Sequence, residues 1–289
     1  MKNVRRISLV LVLSVLILAL SGCGEMTTEK LAAKMVQATA GKTMTQMTMD
    51  MELEMDIDLE QAGMAFEMGM DMDYRMNMKM QSDPYAAYGD ITLDMNMDLL
   101  GQNMDVSETM QMYMVMEDGK LVNYTHADST GAWERQEAEL KDAAQSLDYS
   151  FLKDMIPEIT LDEEKQTLNG REVYVIRLTL TGEQMQRVMN GAGGMQDALG
   201  QMGMDGELDM TSLTVPAVFY VDAQSFLPVQ IEMEISGMGE MMDSMVSGLL
   251  GAGAEGISMK VEIPTCRMVC TNIGFDPVEI PELPAEAKN

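Results

Sequence analysis

The sequence predicts an α+β chain built mainly from a curved, unclosed antiparallel β-sheet. Three observations carry this. Residues 47–60 read MTMDMELEMDIDLE, with Met47, Met49, Met51, Leu53, Met55, Ile57 and Leu59 on one parity and Asp or Glu dominating the other. A period of two held that long belongs to a strand with one apolar and one solvated face, because strand side chains alternate while helical ones recur every 3.6 residues. The same alternation returns at Phe66 to Met80, Leu93 to Leu99 and Met104 to Met116 with short turn signals between, so successive strands pair antiparallel. Finally, the first two strands reach 15 or more residues. Strands that exceed the usual length of roughly 3–10 residues must twist and coil.

The chain begins with Lys2, Arg5 and Arg6, followed by a 14-residue stretch, Ile7 to Leu20, that is apolar apart from Ser8 and Ser14. That length suits a signal-peptide core and falls short of the roughly 20 residues a membrane span needs. It closes on Leu20, Ser21, Gly22 and Cys23, which resembles the bacterial lipoprotein signal. Small residues give a peptidase access to the backbone, and the Cys23 thiol takes a diacylglyceryl group. Residues 1–22 are therefore read as a signal peptide and residues 23–27 as a lipidated tether. Residues 28–283 are read as a single domain and residues 284–289 as a C-terminal tail. The alternative is an uncleaved apolar anchor with an incidental cysteine.

Thr28 to Ala40 reads as a helix, with Leu31, Met35 and Ala38 on one face and Gly41 as its stop. Long strands follow at Thr43 to Glu60 and Met64 to Gln81, then Tyr88 to Leu99 and Met104 to Glu117. Asp118-Gly119 is a hairpin signal leading into Lys120 to Thr125. A polar loop containing His126 precedes Trp133, and Glu134 to Met155 reads as a second helix stopped by Pro157. Strands resume at Ile159 to Gln166, and Asn169-Gly170 turns into Glu172 to Thr181. A short helix at Glu183 to Asn190 and a Gly/Met-rich segment at 191–206 precede strands at Leu208 to Asp222 and Val229 to Ser236. A second Gly/Met/Ala segment at 237–256, a last strand at Ile257 to Phe275 and an extended tail from Asp276 complete the chain.

The formal charge is −28, and loss of residues 1–22 removes three basic residues and no acid, giving −31. Such a surface repels nucleic acid and anionic headgroups, so membrane attachment falls to the lipid at Cys23. Apolar residues make up 46% of the chain and aromatics 5%, which leaves methionine to fill the core. Cys266 and Cys270 lie four residues apart. On a regular strand their Cα atoms would be about 13 Å apart, too far for a disulfide. Buried free thiols are expected, with pairing open should the strand bend.

His126 is the sole histidine, and no nucleophile motif, phosphate loop or zinc-spaced cluster accompanies it, so the chain reads as a non-enzyme without a cofactor. Thioethers are soft ligands that suit Cu(I), and Met49 and Met51 would share a face about 6.6 Å apart. Yet 19 of the 36 methionines fall between Met44 and Met116 in the phase of Leu, Ile and Tyr, which is the pattern of a core. The acidic parity lacks an EF-hand spacing and reads as a solvated face. A methionine face is pliable and tolerant of differently shaped apolar contacts. It suits an acyl chain, while plain compositional bias accounts for it equally well.

Taken together, the Leu20 to Cys23 signal, the MYMVMEDGKLVNY hairpin of residues 112–124, and VFYVDAQSFLPVQIEMEIS of residues 218–236 resemble a family. The family is that of Gram-positive lipoproteins related to LolA and to the LppX and LprG carriers. The resemblance implies a half-barrel-like sheet with helices on its concave face, which in characterised relatives holds acyl chains. It assigns the ligand lining by parity to Met49, Met51, Leu53, Met55, Met68, Met70, Met72, Tyr74, Met95, Met97, Met112 and Met114, with helices 28–40 and 138–155 as lid or plug. The expectation is a monomeric, lipid-anchored extracytoplasmic protein binding a lipid or other apolar ligand. The alternatives are an envelope interaction protein with a filled core, and a Met-rich Cu(I) binder.

Overall fold

The computed structural model describes residues 25–61, 64–99, 102–138, 149–153, 155–182, 184, 213–240 and 257–288. Helix α1, Thr28–Thr39, is capped by Thr27, whose hydroxyl accepts from the Lys30 amide. Leu31, Ala32, Met35 and Thr39 are its buried residues, so the buried face takes in Ala32 where the spacing pointed to Ala38. Gly41 follows at a φ of +69°, the left-handed conformation that ends helices.

Six strands come next: β1 Gln46–Gln61, β2 Met64–Ser82, β3 Tyr85–Leu99, β4 Gln102–Glu117, β5 Lys120–Ala127 and β6 Ala132–Ala138. Two 3-10 turns, η1 Tyr149–Lys153 and η2 Ile156–Glu158, lead into β7 Thr160–Leu161, β8 Gln166–Leu168 and β9 Arg171–Thr181. Then come β10 Thr214–Asp222, β11 Pro228–Glu234, β12 Ile257–Gly274 and a last 3-10 turn, η3 Ala285–Lys288. Both predicted hairpins form with left-handed residues at each centre, Asp118 and Gly119 in one and Asn169 and Gly170 in the other.

The sheet has 12 strands in the order β6-β5-β4-β3-β2-β1-β12-β11-β10-β9-β7, with β8 on β9. Its ends do not meet, so it is unclosed. Short turns account for most of the neighbours. The join between the strands farthest apart in the chain is β1 against β12, which runs antiparallel from Gln46 opposite Gly274 to Gln61 opposite Ile257. That ladder slips between Glu54 and Asp56, where their partners jump from Thr265 to Glu262. Pro264 falls in the gap, and proline, lacking an amide donor, is tolerated at such a bulge.

Several expectations change. Glu134 to Ala138 belongs to β6 instead of opening a helix, because its backbone pairs residue by residue with β5 and Lys120 bridges to Glu137 at 2.7 Å. Residues 139–148 lie outside the described residues, and Tyr149–Lys153 is a 3-10 turn, not an α-helix. His126 sits on β5, opposite Gln111 and Trp133, and not in a loop. Ile159 to Gln166 is not one strand; it supplies β7 and the first residue of β8. The tail is not extended to its end, since η3 turns Ala287 into a buried contact. Cys23 and Leu20, Ser21 and Gly22 lie outside the described residues, as do 185–212 and 241–256, which hold most of the predicted short helix and the two Gly/Met segments.

The main core lies where α1, η1 and Met155 meet β9–β12. Leu31, Met35, Leu152, Ile176, Leu180, Val215 and Phe219 are each at most 1% exposed. A smaller cluster of Tyr113, Val122 and Tyr124 packs with Tyr88 and Trp133 on the other side of the β3–β6 wing, under Leu283 and Ala287.

Candidate ligand face

Register decides which side chains share a face. Cys270 of β12 stands opposite Met49, which stands opposite Met76, then Ile91, then Met110. In the other direction the same row continues through Ile231, Phe219 and Ile176. The next row runs Met268, Met51, Tyr74, Leu93 and Glu108, and the one beyond it Cys266, Leu53, Met72, Met95 and Val106. A fourth holds Met55, Met70, Met97 and Met104. One apolar face therefore crosses the sheet from β9 to β4.

The register brings together on that face all of the side chains assigned by parity. Met49 and Leu53 pack against the main core from its edge. Met51, Met55, Met68, Met70, Met72, Tyr74, Met95, Met97, Met112 and Met114 are half-buried. Met112 stands beside Gly89, where a Cβ would meet its methyl at 3.5 Å. Exposure rises toward the strand ends away from α1, to 45% at Met104 and 58% at Met64. Sequence reasoning missed Glu108, which occupies a methionine position in β4. Its parity was the available signal. The Ser129 amide donates to Glu108 Oε1 at 2.9 Å and holds that carboxyl below its ordinary range.

The polar groups on this face are few and subdued. The Tyr74 hydroxyl donates to Met76 Sδ at 3.5 Å, and burial raises its pKa. Cys266 and Cys270 are free and buried, and desolvation pushes their thiols up to about 11 and about 12. They are therefore protonated, inert thiols at neutral pH.

The opposite face of β1–β3 is acidic. Arg75 pairs with Asp50 at 2.6 Å, and these groups with Glu52, Asp73, Asp94 and Arg267 line an open depression of about 560 Å³. His126 lies 5.1 Å from Trp133, ring to ring, with its Nδ1 3.8 Å from Asp128, on the side of the smaller aromatic cluster. Among the described residues no group of three or more His, Cys, Asp or Glu could hold a metal ion. No helix among them is long and apolar enough to cross a membrane.

Residues 27–247 match the model of a family of unknown function, DUF6612. No curated protein matches. Among solved structures the chain is similar to LprF from Mycobacterium bovis, at 11% identity and a TM-score of 0.37, over 88% of this chain and 96% of that one. It is similar also to the lipoprotein LppX from Mycobacterium tuberculosis, at 9% identity and a TM-score of 0.35, over 88% and 98%. A DUF1329 family protein from Desulfovibrio piger matches at 13% identity and a TM-score of 0.21, over 86% and 92%. LppX belongs by name to the group that the sequence resembles.

Proposed function

The chain belongs to the DUF6612 family, and from that premise we propose that it is a non-enzymatic lipoprotein that takes an apolar ligand on the methionine face of β1–β4. It is anchored through lipid at Cys23 on the extracytoplasmic side of a Gram-positive membrane and works as a monomer. One observation carries the reading. The apolar face is continuous, yet α1 and η1 pack mainly its β9–β12 half, with β1 joining that core at its edge through Met47, Met49 and Leu53, and the described residues leave the rest of the β1–β4 half partly open. Burying an acyl chain there yields about 0.8 kcal/mol per CH₂ before ordering costs. Each methionine that becomes fixed forfeits about 1.5–2 kcal/mol of side-chain entropy, so the face favours ligands that leave it mobile.

An environment-sensitive fatty-acid probe tests this. It should bind the mature chain, yield to unlabelled fatty acid, and lose affinity roughly tenfold or more in the folded double variant Met70→Glu, Met97→Glu. Failure of the wild-type protein to bind the probe would refute the reading. The second reading, an envelope interaction protein with a filled core, draws support from the acidic depression, where Arg75 and Arg267 sit among carboxylates.

A further inference from the structure

The row Met55, Met70, Met97 and Met104 differs from the rows beside it. Nearer the core the corresponding strand positions hold Leu53 and Val106 with two methionines, then Tyr74 and Leu93 with one. Beyond it they hold Ile57, Met68 and Leu99. Toward the start of β1, the rows Met49, Met76, Ile91, Met110 and Met47, Met78, Gly89, Met112 hold three methionines each, and the row from Met55 to Met104 is the one of β1–β4 with a methionine at all four positions. This level coincides with the bulge of β12, so Met55 has no direct partner on that strand.

Methionines that pack against a partner sit in the covered core, where Met233 and Met268 stand among Val215, Ala217, Phe219 and Ile231. The all-methionine row instead lies on the partly open half, with Met104 45% exposed. Directly opposed residues place their Cβ atoms about 4.5–5.5 Å apart. Three rotatable bonds per side chain let neighbouring thioethers turn to a common point above the strands. The flanking acids Glu54, Asp56, Asp71 and Asp98 have the other parity, so the donors at this level are thioethers alone.

We infer that this row is a binding site for a soft monovalent cation, Cu(I) or Ag(I), held by three thioethers from adjacent strands, with Met70 and Met97 common to either set of three. Carboxylate and water suit hard ions, and none of the former lies in the row, so Ca²⁺ and Mg²⁺ find no ligands in it. The site needs no apolar ligand on the face and is independent of the lipid reading.

The test is competition for Cu(I) between the mature chain and a chromophoric Cu(I) chelator under reducing conditions. The wild-type chain should withdraw a stoichiometric amount of Cu(I), with only sulfur in the first coordination sphere by X-ray absorption. Met70→Leu with Met97→Leu should weaken binding roughly tenfold or more, while Cys266→Ser with Cys270→Ser leaves it unchanged. Cu(I) withdrawal and fatty-acid probe binding are each read on the wild-type chain, so the two readings fail separately. No withdrawal by wild type overturns the inference. So does equal withdrawal by the leucine variant, or loss of binding in the serine variant.

Discussion

The two halves of the apolar face share one sheet, one alternation and one continuous set of rows, yet they are built from different residues. The β9–β12 half is mostly Val, Ile, Leu and Phe, with Met233, Met268, Cys266 and Cys270 among them, and lies beneath α1 and η1 with side chains such as Val215 and Phe219 at 0–1% exposure. The β1–β4 half is mostly methionine, and the methionines of these strands stay half-buried or more open. Alternation alone fixes which face is apolar. What stands over the face selects the residue type. Branched and aromatic side chains have few rotamers and reward a fixed partner, whereas methionine accommodates a partner that varies or leaves.

The comparison can be broken most directly by truncation on each half. Phe219→Ala should cost about 3–5 kcal/mol in urea unfolding, because its cavity forms under a packed roof. Met70→Ala should cost about 1 kcal/mol, since half-exposed side chains lose less transfer energy. Equal losses would erase the distinction between halves.

An alkaline titration sharpens the covered half. Burial raises the Cys270 thiol from its ordinary value near 9 to about 12. A raised folded pKa means that the fold favours the neutral thiol. Its contribution is complete below about pH 9 and is lost as pH climbs toward about 12. The loss should be on the order of 2 kcal/mol by about pH 10.5, read as a falling urea midpoint that Cys270→Ala makes shallower. A midpoint independent of pH over that window would mean that the thiol reaches water. Smallest of all, Met70→Leu with Met97→Leu should shift stability by no more than about 0.5 kcal/mol, because volume and polarity are kept. A larger shift would show that the open half is tightly packed after all.

Much of this architecture was legible in the sequence for local reasons. The alternation of residues 47–60 needs nothing distant to be read, and Asp118-Gly119 and Asn169-Gly170 announce turns whose geometry tolerates few other residues. What escaped depends on partners far along the chain. Glu134, Arg135, Gln136 and Glu137 favour helix by themselves, and only pairing with β5 makes them a strand. His126 looks like a loop residue until Trp133 is placed across from it. Nothing local marks β12 as the neighbour of β1, yet that pairing carries Cys266, Met268 and Cys270 onto the methionine face. Glu108 was readable by parity, but a lone carboxylate in a methionine series is easily assigned to the solvated side.

The central claim is that the methionine half of the face is open to an apolar ligand. Non-denaturing mass spectrometry of the purified mature chain, truncated before Cys23 so that no anchor contributes, tests it most directly. The predicted result is an added mass in the lipid range that organic extraction removes and that Met70→Glu with Met97→Glu fails to retain. A bare polypeptide mass, unchanged after incubation with fatty acid, would contradict it.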